Sequence, residues 1–162
     1  MRLMTIDKEG IEFIKKFEGC KLTAYKPVSS EKYWTIGFGH YGKDVTQGMT
    51  ITMERAEQLF RDDIKPIERS IHKLGKCLTQ GEYNTLVSWI YNLGNGNFDS
   101  STLKKKILAE AEDEEITDQI VRWIYAGGKP LLGLKRRRVA EANMWLEKER
   151  YYIDASGAIK KK

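Results

Sequence analysis

A long amphipathic helix is the feature of this sequence that most restricts the fold. Thr52 is a candidate N-cap, and Pro66 should kink or interrupt the helix because proline lacks a backbone N–H. The apolar residues that recur at helical spacing along it are Ala56, Leu59, Phe60, Ile64, Ile67 and Ile71. This pattern predicts a connecting helix over about 52–73 that joins two lobes.

The chain before residue 52 predicts one helix and one hairpin. Thr5 can cap a helix that ends at Glu18, with Gly19 in the left-handed conformation that often follows a helix. Residues 22–25 and 33–38 then have β-strand character, and a turn containing Pro27 separates them. We therefore expect a β-containing lobe over about 19–51.

The chain after Cys77 is predicted to be helical throughout. The candidate N-caps are Thr79, Ser101 and Thr117, and glycine-rich breaks fall at 94–97 and 127–128. The predicted fold class is α+β and mostly helical.

The predicted organisation is a single domain. We expect this domain to span 1–153 and to include a helical lobe over about 78–150 together with the N-terminal helix. A polar tail, 154–162, is expected to be loosely ordered.

Charge and composition narrow the possible partners. The net charge of +5 favours an anionic partner, and basic residues concentrate at 135–138 and 160–162. Both a nucleic acid and an anionic cell wall satisfy that preference. No nucleic-acid-binding motif is visible, however, and the acidic stretch 110–115 argues against one. A solvated helix face and tail is the alternative interpretation of the basic runs.

The same composition predicts a chain made in the cytoplasm without a signal peptide. No apolar run approaches the roughly 20 residues needed to span a bilayer. We expect Cys20 and Cys77 to be free thiols. With two histidines and no metal-binding motif, we expect no metal and no cofactor. We also expect a monomer.

Glu18 is the first candidate for chemistry. In the last turn of a helix, the negative end of the helix dipole disfavours a carboxylate and so favours the protonated acid that a general acid catalyst requires. A solvated glutamate at a helix end is the alternative.

The stretch 34–40, Trp-Thr-Ile-Gly-Phe-Gly-His, supplies the second candidate. As one strand it would place Thr35, Gly37 and Gly39 on a nearly bare face. Such a face lets a ligand approach the backbone, and the Thr35 hydroxyl is available to hold a water or a sugar oxygen. A bulged strand packed on another element is the alternative.

These residues, in this order, carry a family resemblance. Glu18-Gly19, Leu22, Ala24-Tyr25 and the stretch 35–40 resemble the signature of the phage lysozyme family. Further matches lie at 48–52, 91–98, 101–103, 122–123, 127–128 and 136–139, so the resemblance covers roughly residues 6–146.

The resemblance implies a lysozyme-like fold, in which a small hairpin-containing lobe and a helical lobe enclose a glycan-binding cleft. The activity it implies is hydrolysis of the β-1,4 bond between N-acetylmuramic acid and N-acetylglucosamine in bacterial peptidoglycan. Glu18 would be the general acid, and Thr35 would position water. The implied substrate-binding residues are Tyr25, Gly37, Asn92 and Arg137. His40 and Asp63 are expected to form an ion pair.

One position departs from the family pattern. The second catalytic residue usually lies nine positions after the glutamate, and here that residue is Pro27. Glu31, in a hairpin about two residues longer than usual, is the nearest replacement carboxylate, and Asp44 is a weaker candidate. Alternatively, Glu18 and a Thr35-bound water suffice without a second carboxylate.

Pro27 also motivates a competing function, a catalytically weak or inactive module that binds cell wall. A nucleic-acid-binding protein is the more distant alternative. Cys20 adjoins Glu18, but no base is evident beside it, so core filling is favoured over a nucleophilic role.

Overall fold

The computed structural model describes residues 2–162 and divides into two compact units. Residues 11–66 form one, here called the sheet unit. Residues up to 10 and 67–162 form the other, here called the helical unit. Two helices, α1 (Lys8–Glu18) and α2 (Met53–His72), each begin in one unit and end in the other. The α+β, mostly helical fold class is confirmed.

The sheet unit contains a three-stranded antiparallel sheet. Its strands are β1 (Lys21–Tyr25), β2 (Trp34–Gly37) and β3 (His40–Gly42), in that spatial order. The sheet and α2 bury a small apolar core of Ala24, Ile36, Val45 and Leu59. Burial of apolar side chains on one side of a short sheet stabilises it against the cost of ordering the loops.

The predicted helix boundaries in this unit are largely confirmed. α1 ends at Glu18, and Gly19 follows with a φ of +65°. The Thr52 hydroxyl accepts a hydrogen bond from the Arg55 amide at 3.1 Å, as an N-cap does. Pro66 does not interrupt α2, which continues to His72.

The N-cap of α1 was predicted at the wrong residue. Asp7, not Thr5, accepts a hydrogen bond from the Gly10 amide at 3.0 Å. Aspartate is at least as good an N-cap residue as threonine. Asp7 directly precedes the first helical residue, Lys8, so its carboxylate is the one that reaches the Gly10 amide.

The predicted strand at 33–38 is confirmed in shorter form, as β2 over Trp34–Gly37, but the extended backbone does not continue to residue 40. β2 ends at Gly37, which has a φ of +66°, and Gly39 has a φ of +89°. Gly37 ends the strand and Gly39 lies in the turn into β3, and an L residue would be strained at either position. Because the turn replaces the extended backbone, the predicted alternation of faces through residue 40 is wrong.

The helical unit is built from α3 (Gln80–Leu93), α4 (Asn95–Ser100), α5 (Thr102–Leu108), α6 (Asp113–Ile120) and α7 (Leu132–Leu146). Thr79 and Ser101 are confirmed as N-caps, the first in a reciprocal capping box with Glu82. Thr117 is not a cap, since it lies inside α6 and its hydroxyl donates to the Asp113 carbonyl.

Two small hairpins correct the expectation that this half is entirely helical. β4 (Tyr125–Ala126) pairs with β5 (Lys129–Pro130) around Gly127 and Gly128, both with positive φ. β6 (Tyr151–Ile153) pairs with β7 (Ile159–Lys161), so the tail beyond residue 153 is ordered as a strand. No helix within residues 2–162 is long and apolar enough to cross a membrane.

Candidate active site

Glu18 is the last residue of α1, and its side chain is half-buried. The Gly19 amide donates to the Lys15 carbonyl at 2.9 Å and closes the final turn. Because Gly19 adopts the left-handed conformation, the chain leaves the helix directly after Glu18. The carboxyl group therefore lies at the carbonyl end of α1, as predicted.

Tyr25, at the end of β1, lies near Glu18 and pairs with the neighbouring strand β2. It is the register partner of Thr35 on β2. Burial raises the pKa of the Tyr25 phenol, and the nearby carboxylates of Glu18 and Glu31 raise it further. Three predicted site residues, Glu18, Glu31 and Thr35, thus lie near Tyr25.

Thr35 occupies the middle of the sheet. Its register partners are Tyr25 on one side and Tyr41 on the other, so the three side chains share one face. Thr35 is only 7% exposed, and its hydroxyl makes no hydrogen bond with any residue in 2–162. A nearly buried hydroxyl without a protein partner can hold a water or a ligand oxygen.

Glu31 lies in the turn that follows Pro27. Its amide donates to the Val28 carbonyl at 3.1 Å, and its side chain is half-buried. Pro27 is exposed and has no ionisable group. The turn therefore brings Glu31 toward Tyr25.

An ion pair between α1 and α2 in the sheet unit was not predicted from the sequence. Lys15 contacts Glu57 at 2.6 Å, and its ammonium lies 5.0 Å from the centre of the Phe38 ring. Burial, followed by the Glu57 carboxylate, raises the pKa of the Cys20 thiol. A raised pKa keeps the thiol protonated, which argues against a nucleophilic role for Cys20. Lys15 and Glu57 lie on different helices, and no sequence pattern links them.

The predicted ion pair of His40 and Asp63 is confirmed. Nδ1 of His40 lies 2.8 Å from the Asp63 carboxylate, and Nε2 lies 2.8 Å from the Asp44 carboxylate. These hydrogen bonds, led by that to Asp63, raise the pKa of His40 to about 9. The bond to His40 is the main cause that lowers the pKa of Asp44. This pairing gives Asp44 a structural role instead of the catalytic one considered for it.

Asn92 and Arg137 belong to the helical unit, where both contact a buried polar network. Arg137 is 4% exposed and donates to the Ser88 carbonyl at 3.1 Å. The Asn92 side-chain oxygen accepts from Arg138 at 2.9 Å. Within this unit both side chains hydrogen-bond to protein groups, Arg137 to Ser88 and Asn92 to Arg138.

Glu141 lies at the centre of this network and was not predicted. It is 0% exposed and accepts from the Ser88 hydroxyl at 2.6 Å. Nε of Arg138 lies 2.6 Å from Oε1 of Glu141, in an ion contact without hydrogen-bond alignment. Its spacing of three and four residues after Arg138 and Arg137 is the signal that could have revealed it.

The described residues contain no group of three or more histidine, cysteine, aspartate or glutamate side chains placed to hold a metal ion. The side chains that the sheet unit offers for chemistry are the carboxyl groups of Glu18 and Glu31, the hydroxyl of Thr35 and the phenol of Tyr25.

Comparisons with known proteins identify the class. The phage lysozyme family model matches residues 15–141. This chain belongs to the phage lysozyme family.

Individual relatives agree with this assignment. The chain is 42% identical over 147 residues to the endolysin of Bacillus phage B103, covering 90% of this chain and 56% of that protein. It is 36% identical over 130 residues to the SAR-endolysin of Enterobacteria phage PA-2, covering 80% and 77% of the two chains. The muramidase domain of SpmX from Asticaccaulis excentricus superposes with a TM-score of 0.78 at 30% identity, covering 88% of this chain and 97% of that one.

The chain is shorter than several of its relatives. It spans between 54% and 60% of the length of the endolysins from two Bacillus phages and a Lactococcus phage.

Proposed function

We propose that this chain hydrolyses the β-1,4 bond between N-acetylmuramic acid and N-acetylglucosamine in bacterial peptidoglycan. Glu18 donates a proton to the leaving oxygen as general acid, and Thr35 positions the attacking water. The observation that carries the proposal is the placement of Glu18 and Thr35 beside the same residue, Tyr25. The names endolysin and muramidase among the relatives support the reaction class.

Glu31 is proposed as the second carboxylate. Family members usually carry it nine residues after the acid, where this chain has Pro27. Glu31 is half-buried, and its charge contributes to the raised pKa of the Tyr25 phenol. As a carboxylate it would activate the water or stabilise the positive charge that develops on the sugar.

Tyr25 is proposed as a substrate-binding residue. Its phenol, whose pKa is raised above the ordinary value of 10, is protonated at neutral pH and can donate a hydrogen bond to a sugar oxygen. Gly37, Asn92 and Arg137 are proposed as further substrate contacts from the family pattern. The net charge of +5 suits an anionic wall. We propose a monomer made in the bacterial cytoplasm that acts on the cell wall.

A turnover assay on purified peptidoglycan tests the proposal. Hydrolysis should release new reducing ends on N-acetylmuramic acid. Binding to peptidoglycan without any such release would instead favour the inactive wall-binding module that Pro27 suggests.

A further inference from the structure

We propose that the helical unit carries a second binding site, for the phosphodiester groups of a polyol-phosphate polymer attached to the cell wall. The site is a cavity of about 440 Å³. It is called the lysine pocket here and is defined by Lys135, Lys160, Lys161, Val121, Ile124 and Ile159. The identity of the polymer rests on the proposed function, because action on the wall brings the chain to such polymers.

One lysine of the pocket is already neutralised. Lys161 lies 2.8 Å from the Asp118 carboxylate, which also accepts a hydrogen bond from the Tyr151 hydroxyl at 2.7 Å. Asp118 is the single acidic residue among those lining the pocket in the described chain. Its negative charge is therefore matched within the protein.

The other two lysines have no carboxylate partner among residues 2–162. Lys135 is half-buried and donates to the Gly157 carbonyl, which is neutral. Lys160 is exposed and makes no hydrogen bond or ion pair with the described residues. Its charge helps to lower the pKa of the Asp154 carboxyl, although the main causes of that shift are the hydrogen bonds from Ser156 and Ala158 in the hairpin turn. The lysine pocket thus has positive charge in excess.

The chemistry of the lining selects a phosphodiester. Ammonium groups on flexible stems bind phosphate oxygens as point charges, without the fixed two-pronged geometry by which an arginine binds either a carboxylate or a phosphate. No arginine lines the pocket in the described part of the chain. Val121, Ile124 and Ile159 provide an apolar wall for the short carbon link between successive phosphates.

The pocket is distinct from the candidate active site. All of its lining residues lie in the helical unit, whereas Glu18, Tyr25, Glu31 and Thr35 lie in the sheet unit. Polymer binding and glycan hydrolysis can therefore be measured separately.

The test measures binding of purified poly(glycerol phosphate) to the full chain by calorimetry at low salt. Wild type should bind, and Lys135→Gln/Lys160→Gln should bind about tenfold more weakly with a shallower salt dependence. Lys160→Gln alone removes no side-chain hydrogen bond or ion pair among residues 2–162 and should also bind more weakly, with an unchanged melting temperature showing that it folds. The matched control, Lys73→Gln/Lys129→Gln, removes two exposed lysines elsewhere in this unit and should bind as wild type does.

Two results would overturn the inference. One is equal binding by the pocket variants and the control. The other is binding to vesicles of phosphatidylglycerol, but not of phosphatidylcholine, with none to the polymer. Turnover of wild type on peptidoglycan stripped of phosphate polymers is measured in parallel. A failure there contradicts the proposed hydrolysis and leaves the polymer-binding result to be judged by itself.

Discussion

The proposed reaction depends on the protonated carboxyl group of Glu18, which acts as the general acid. Glu18→Gln keeps the shape of the side chain at the end of α1 but cannot donate a proton to the leaving oxygen. We expect turnover of peptidoglycan to fall by at least about 100-fold, while thermal stability and wall binding stay near wild type. Activity close to wild type would remove Glu18 from the mechanism.

The Thr35 hydroxyl offers a finer test because no residue in 2–162 forms a hydrogen bond with it. Thr35→Val is nearly isosteric and removes one donor and one acceptor. If the hydroxyl positions water, kcat should fall about tenfold, or ~1.4 kcal/mol of barrier, with little change in KM. Steady-state kinetics on soluble glycan fragments separates the two constants. An unchanged kcat would give Thr35 a purely structural role.

Glu31 tests whether the displaced carboxylate is used. Glu31→Gln should lower turnover by about 100-fold at unchanged stability if Glu31 activates water or stabilises positive charge. Glu12→Gln, an exposed position on α1, is the control and should be neutral. A loss below about threefold, under 1 kcal/mol, would support hydrolysis by Glu18 and the Thr35-bound water alone.

Site residues were predictable where a motif fixed them and not where tertiary contacts did. Glu18 could be located because an amphipathic helix and a following glycine set its end. The engagement of Asp44 by His40 could not be foreseen in the same way, since it depends on how β3 and its loop fold. The alternation of the sequence predicted an extended strand through Gly39, although β2 ends at Gly37 and Gly39 lies in the turn with a positive φ.

His40, on β3, forms ion pairs with Asp63 on α2 and with Asp44 in the loop after β3. The pKa of His40 is about 9 in the folded chain, above its ordinary value of 6.5. The stabilisation is therefore full below pH 6.5 and is lost as pH rises through 9. The pKa of Asp44 is lowered below 3.8, so its share is present above pH 3.8 and is lost as pH falls through the folded value.

Thermal melts across pH measure this effect. His40→Asn should cost about 2 kcal/mol near pH 6, a value reduced for solvent screening, and much less above pH 9. Double-mutant cycles with Asp63→Asn and Asp44→Asn should show coupling only at the lower pH. Asp62→Asn removes the neighbouring exposed carboxylate and should show none. Additive effects at every pH would show that His40 is not coupled to Asp63 or Asp44.

The long elements of the fold were more predictable than the short ones. α2 and α3 have caps and sustained periodicity, which local sequence specifies. β4 to β7 have only two or three residues each, so their pattern is too short to distinguish from a loop. β7 is also rich in lysine, and its pairing with β6 is stabilised by tertiary contacts such as that of Lys161 with Asp118.

The helical unit depends on buried charge as well as on buried apolar side chains. Arg137, Arg138 and Glu141 are all nearly or fully buried between α3 and α7. Two guanidinium groups share one carboxylate there. Charges removed from water are tolerated only when they are paired and hydrogen-bonded.

Glu141→Gln should therefore destabilise the helical unit strongly. The substitution keeps the shape but leaves two buried cations without their shared carboxylate, and removing one partner of a buried pair costs about 3–5 kcal/mol. Urea unfolding followed by circular dichroism measures the loss, and hydrogen exchange in α3 and α7 locates it. Glu149→Gln is the control, because Glu149 pairs with Lys162 while 85% exposed and should contribute less than about 1 kcal/mol. If both substitutions lower the free energy of unfolding by the same small amount, the buried network contributes little to the stability of the helical unit.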